Sequence, residues 1–164
     1  KFAQRMNQSI EAMDFSYGGL DAASSLRLHL WRNALTVLEN YPVNGAGVRS
    51  YRYAYPEFAE AGDPFLSPDG TGQIYAHQLL LEVGSETGVI GLTGLLVFFY
   101  IFIRSGRGAA NDSLTWVMWL GAFAWLFPFN THTALYSAYW SLLIVWLIAI
   151  SFARELAAKS FQRH

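Results

Sequence analysis

From Ser113 to Ala153 the chain runs 41 residues without a Lys, Arg, Asp or Glu. A helix on the surface of a soluble protein keeps a polar face toward water, and a stretch this long without charge offers none. The hydrocarbon core of a bilayer is about 30 Å thick and takes about 20 helical residues to cross. The stretch is about twice that length, and Pro128-Phe129-Asn130-Thr131 interrupts it. The sequence therefore predicts a membrane hairpin: Leu114–Phe129, a tight polar turn, then Ala134–Phe152. A second uncharged run, Thr87–Ile103, is slightly short for one crossing but extends upstream through Leu79-Leu80-Leu81. Backbone polar groups find no water in lipid, so each crossing must be helical. A buried soluble hairpin is the competing reading, and the uncharged length weighs against it.

Charge elsewhere is distributed to match. Residues 1–86 hold six Lys/Arg and ten Asp/Glu, Arg104 and Arg107 follow the first apolar run, and Arg154, Lys159 and Arg163 follow the hairpin. The Asn130–Thr133 turn has neither Lys nor Arg. By the positive-inside rule the Arg104–Arg107 loop and the tail are cytoplasmic, and residues 1–86 lie outside. The expected fold is an all-α integral membrane protein: an extracytoplasmic (periplasmic) region, residues 1–86, mostly helical, then residues 87–164 as three transmembrane helices with a cytoplasmic tail. The expected location is the bacterial inner membrane. Composition agrees, with 14% charged residues against about a quarter in soluble domains. A net charge of −1 gives no basic footprint for nucleic acid, and the absence of cysteine excludes disulfides and thiolate metal sites. The chain begins at Lys1 with neither Met nor a signal peptide, which reads as a piece of a longer polypeptide with further helices upstream.

The outer region has helix and turn signals of its own. Ser24 and Ser25 can cap a helix running to about Asn40, where Tyr41-Pro42 stops it. Leu28, Trp31, Leu35 and Leu38 share one helical face. Asn44-Gly45-Ala46-Gly47 makes a turn, and the glycine- and proline-rich stretch from Gly62 to Gly72 reads as a mobile loop. A further helix is expected to start near Gln73 and lead into the first crossing. Gly84, Gly88 and Gly91 read as a small-residue face for close helix packing, and Glu86 as a charge fixing depth at the membrane surface.

Two clusters carry chemistry. One is Arg27-x-x-x-Trp31, then Pro42-x-x-Gly45-x-Gly47, Arg49 and Tyr51. The other, residues 76–92, contains His77-Gln78 and then Glu86-x-Gly88-x-x-Gly91. In this order they resemble the O-antigen ligase/polymerase superfamily over about Leu26–Leu95, with Gln78 standing where that family usually has Asn. The resemblance implies a membrane glycosyltransferase that moves a glycan from an undecaprenyl-diphosphate carrier to an acceptor on the outer face. That acceptor would be lipid A–core, a growing glycan or a protein hydroxyl. It implies functional roles for Arg27 and His77. The residue chemistry agrees: Arg presents a planar fork of donors to phosphate oxygens, and His titrates near neutrality and can take a proton from a hydroxyl. His77 can equally hydrogen-bond the diphosphate. Arg49 and Arg52 are further candidates for diphosphate contact, or for contact with lipid headgroups. His132, in the outer turn, reads as solvated rather than functional. No metal-ligand spacing appears among His29, His77, His132 and His164, and no cofactor is expected. The alternative is a non-catalytic membrane subunit packing against a larger complex. A transporter fragment ranks below both, because the expected crossings hold no charged residue.

Overall fold

The computed structural model describes residues 26–72, 75–110, 112–127 and 138–161. Among these residues the regular structure is entirely helical: α1 (Arg27–Asn40), α2 (Tyr51–Phe58), α3 (Leu79–Ala109), α4 (Ser113–Leu126) and α5 (Ala138–Phe161).

Two cores divide the molecule. The first sits where α1 and α2 pack on the start of α3 and contains Leu30, Ala34, Val37, Tyr51, Tyr55 and Ala76. The second joins the far half of α3 to α4 and α5 through Phe102, Trp119, Ala122, Leu126 and Ile144. There the Trp119 ring stacks on Phe102 at 5.1 Å, and its indole N–H donates to the Phe102 carbonyl at 2.9 Å. A Cβ at Gly106 would stand 2.8 Å from that ring, so the missing side chain lets the helices meet. Asp112 accepts from the Thr115 N–H at 3.0 Å and caps α4. Arg154 of α5 reaches the same carboxylate at 2.9 Å. The Thr115 hydroxyl and N–H, with Arg154, hold the Asp112 carboxyl down at about 2.

Among the described residues one helix, over Leu79–Gly108, is long and apolar enough to cross a membrane. Where the membrane hairpin was expected, the described residues form α4 and α5, whose apolar parts, Ser113–Leu126 and Ser141–Arg154, are shorter than a crossing requires. Fourteen residues of α4 rise only about 21 Å, at 1.5 Å per residue. The turn at Asn130–Thr133, with His132, lies outside the described residues, as do Ser24 and Ser25.

Several local expectations are corrected. The buried stripe of α1 is Leu30, Asn33, Ala34 and Val37, whereas Leu35 is exposed. The difference arises because hydrophobic periodicity favours large leucines over the small and polar residues that a close helix contact needs. Ala34 and Asn33 are needed where α2 lies close, and the Asn33 amide donates to the Tyr55 carbonyl at 3.2 Å. Helix α2 itself was not expected, because Pro56 and the preceding glycines mask it in sequence. Helix α3, the helix expected to lead into the first crossing, starts at Leu79 rather than near Gln73.

Candidate functional site

Helix α3 is not continuous. At Gly88 the backbone takes φ 62, ψ −156, a conformation outside the helical region that glycine alone adopts readily. A break of this kind strands backbone donors and acceptors on either side. The Pro42–Gly47 turn supplies their partners. The Val89 N–H donates to the Pro42 carbonyl at 2.8 Å and the Ile90 N–H to the Val43 carbonyl at 3.3 Å. In the other direction the Ala46 N–H donates to the Ser85 carbonyl at 2.8 Å and the Gly47 N–H to the Glu86 carbonyl at 2.9 Å. The two backbones touch. A Cβ on Gly45 would lie 2.2 Å from the Glu86 carbonyl carbon, and one on Gly88 would lie 2.3 Å from the Val43 oxygen. The two glycine motifs are thus the two halves of one joint.

Glu86 completes the joint and is 1% exposed. It accepts the Arg49 N–H at 2.8 Å and also binds the Tyr51 N–H, so it caps the start of α2. Its expected role at the membrane surface is replaced by a structural one inside the protein. The small-residue face is also revised: Gly84 admits Leu38 of α1, but Gly88 admits a turn, and a Cβ on Gly91 would meet Thr87 of the same helix.

The joint yields a stability prediction. Gly88→Ala combines a left-handed φ with an overlap against rigid backbone, so it should destabilise the fold by about 3 kcal/mol or more. At Gly94 a Cβ meets nothing within 4 Å, and Gly94→Ala should change stability by no more than about 1 kcal/mol. Thermal unfolding in one detergent compares the two; equal melting temperatures would remove the joint from the account.

The same frame fixes the candidate residues. Leu30 and Ala76 share a core, Leu38 faces Gly84, and Pro42 bonds Val89, so α1 and α3 run side by side in the same direction. Arg27, the first residue of α1, and His77, just ahead of α3, therefore lie at the same end. Arg49 lies at the joint, level with Glu86, roughly 10 Å of helix rise beyond Leu79. Three non-glycine residues among those described have positive φ: Leu26 at 62°, Arg49 at 60° and His77 at 56°. Each left-handed L-residue costs about 1–2 kcal/mol. Two of them are candidate residues and the third directly precedes Arg27.

The surroundings differ from residue to residue. His77 is half-buried and meets Tyr75 edge-on at 4.5 Å. Next to it, the Gln78 side chain accepts the Leu81 N–H at 2.7 Å and caps α3, a task within reach of the Asn usual at this position. Arg27 is half-buried and Arg49 is exposed. Arg52 is engaged locally: it donates to the Thr71 hydroxyl at 3.2 Å, stands 4.0 Å from Asp69 and lies over the Tyr53 ring. The structure thus brings Arg27 and His77 to one end, sets Arg49 at the joint, and ties Arg52 into the 59–72 loop.

A further polar cluster escaped the sequence. The Asp63 side chain is buried and accepts from His29 Nε2 at 2.7 Å, from the Tyr55 hydroxyl at 2.8 Å and from the Phe65 N–H at 2.8 Å. Its three partners lie on α1, on α2 and in the loop, at spacings that no motif records. Burial pushes the Asp63 carboxyl up, but the bonds from His29, Phe65 and Tyr55 outweigh it and hold the group below its ordinary value. A carboxylate with a lowered folded pKa stabilises above its unfolded pKa and ceases to do so as pH falls through the folded one. Asp63→Asn should therefore melt below wild type at pH 7, with the gap closing as pH drops below about 4. A gap unchanged between pH 7 and pH 3 would mean that the charge contributes nothing.

The comparisons agree with this architecture. The sequence profile of a family described as O-antigen ligase matches residues 2–96, a stretch that spans α1, the joint, α2 and the first half of α3. No curated protein and no solved structure matches the chain. With the family profile covering more than half of its length and both halves of the glycine joint inside the match, the chain belongs to the O-antigen ligase family.

Proposed function

We propose that this protein transfers a glycan from a polyprenyl-diphosphate carrier to an acceptor hydroxyl at the outer face of the bacterial inner membrane, with Arg27 and His77 in the reacting site. Family membership supports the coarser part: a membrane protein of glycosyl-transfer type that uses a lipid-linked glycan and an acceptor. The observation that carries the finer part is strain. The left-handed non-glycine residues, Leu26, Arg49 and His77, coincide with or adjoin the residues chosen for their phosphate and proton chemistry. Such strain persists where the surrounding structure enforces it, and it gathers at functional sites.

In this reading Arg27 neutralises charge on the departing diphosphate. The acceptor oxygen bonds the anomeric carbon of the sugar as the bond from that carbon to the diphosphate breaks, and the electron pair leaves with the phosphate oxygen, where a guanidinium fork is well matched. His77 takes the proton of the acceptor hydroxyl or hydrogen-bonds the diphosphate. Arg49, exposed at the joint, is the better placed of the two remaining arginines to reach a lipid headgroup. Arg52 would have to leave Thr71 to do so. Residues 1–86 then lie outside and the Arg104–Arg107 segment lies inside.

Because the chain has no cysteine, single cysteines report both side and site. Val48→Cys, exposed beside Arg49, should react with a membrane-impermeant thiol reagent on intact spheroplasts, and the lipid-diphosphate donor should slow that reaction. Ala110→Cys, exposed just beyond α3, should be unreactive until the membrane is opened. Labelling of Ala110→Cys with protection of Val48→Cys would invert the topology, and Val48→Cys labelling indifferent to donor would remove the joint from the binding site.

A further inference from the structure

The far end of the membrane bundle holds a second feature that glycan transfer does not use. A recess of about 540 Å³ opens between the last turns of α3 and α5. Its walls are of two kinds: Ile101, Phe152 and Leu156 are apolar, while Arg104, Ser105 and Arg107 are polar. Arg104 and Arg107 also border a smaller recess of about 180 Å³ with Tyr100 and Ile103. The two arginines, one turn apart, thus stand between two partly apolar hollows.

The charges at this end are unequally satisfied. Arg154 is neutralised by Asp112 at 2.9 Å. No ion pair among the described residues involves Arg104 or Arg107. Arg104 makes one long bond to the Tyr100 hydroxyl at 3.4 Å. Arg107 lies in the last turn of α3, where the helix dipole supplies only about half a negative charge. Among the described side chains, then, the two guanidinium groups at the end of this apolar span pair with no carboxylate, and the hydrocarbon surface beside them is exposed, with Leu156 66% accessible.

We infer that this recess binds an anionic phospholipid of the surrounding bilayer, its phosphate held between Arg104 and Arg107 and its acyl chains lying along Ile101, Phe152 and Leu156. The two wall types match the two parts of such a lipid. Guanidinium groups bind phosphate oxygens in pairs, and basic pockets between membrane helices suit phosphate headgroups. A free phosphate would leave the apolar walls uncovered, and a neutral zwitterionic lipid would bring no net charge. The inference needs only that α3 and α5 sit in a bilayer. It depends neither on His77 nor on the transfer reaction.

The test is native mass spectrometry of the detergent-purified full-length protein, titrated with phosphatidylglycerol or phosphatidylcholine. Phosphatidylglycerol should be retained in preference. Its affinity should fall about fivefold for Arg104→Gln or Arg107→Gln, and by the product for both, the effect of about 1 kcal/mol per basic residue at a membrane surface. Leu156→Glu, which adds a negative charge to the wall that faces the two arginines while leaving both in place, should also weaken binding. Transfer activity should be unchanged in all of these variants, so failure of the lipid site and failure of the transfer reading are distinguishable. Equal retention of the two lipids would overturn the inference. So would undiminished phosphatidylglycerol binding by the double variant, or displacement of the lipid by inorganic phosphate at equal concentration. Absence of bound phosphatidylglycerol on the wild type, as expected if another helix fills the recess, would do the same.

Discussion

His77→Gln should lower glycan transfer by about 10²–10⁴-fold if the imidazole is the general base, because glutamine cannot take a proton at neutral pH. The backbone at His77 complicates a single substitution, since φ there is 56° and a change of residue can alter strain as well as chemistry. His77→Asn resolves this: asparagine tolerates the left-handed region well and also lacks a base. Both variants should lose transfer while keeping normal protein level and melting temperature. The pH profile separates the two chemical roles. With a base, the wild-type rate falls on the acid side of the profile as the base becomes protonated, and that limb vanishes in the variants. If His77 only donates a hydrogen bond to the diphosphate, glutamine retains substantial transfer and the acid limb persists. A loss of folded protein in both variants, with transfer per folded molecule intact, would make His77 structural.

Arg27→Ala should reduce transfer by about 10²-fold or more, the scale of losing one oriented donor that stabilises developing charge. Arg27→Lys should recover little of it, because a point charge does not reproduce a two-pronged contact with phosphate. The loss should appear in kcat as well as in kcat/KM, since charge on the leaving diphosphate grows between ground state and transition state. Leu26 next to it also has positive φ, so a Leu26→Gly variant serves as the control for backbone strain: it should keep transfer within about tenfold, as relief of about 1–2 kcal/mol of strain implies. Near-normal transfer by Arg27→Ala at normal protein level would take Arg27 out of the site.

The all-helical class was legible because it is written in charge. Helix α4 and most of α5 fall within the uncharged stretch of 41 residues. The motif order around Arg27, Gly45, Glu86 and Gly88 led to the family without any geometry. What those motifs do was not legible. Gly88 resembled a helix-packing glycine because its spacing from Gly84 and Gly91 is helical, while its real conformation is set by a turn more than forty residues upstream. Glu86 looked like a membrane-surface charge, because burial of a carboxylate on backbone N–H groups depends on a contact that sequence does not record. The α1 face was misassigned for a related reason: hydrophobic periodicity favours large side chains, whereas close approach of α2 requires Ala34 and Asn33. The Asp63 cluster depends on three elements meeting, so no local pattern could have suggested it.

The measurement that bears most directly on the transfer reaction uses the full-length protein reconstituted in liposomes. A polyprenyl-diphosphate oligosaccharide and a lipid A–core acceptor are supplied on the side that carries residues 1–86. Glycosylated acceptor and released polyprenyl diphosphate are then quantified together. The two products should form in equal amounts, both dependent on Arg27 and His77. Failure of wild-type protein to form either product from this or other hydroxyl acceptors, while it co-purifies with a larger membrane complex, would contradict the transfer reading in favour of a non-catalytic subunit.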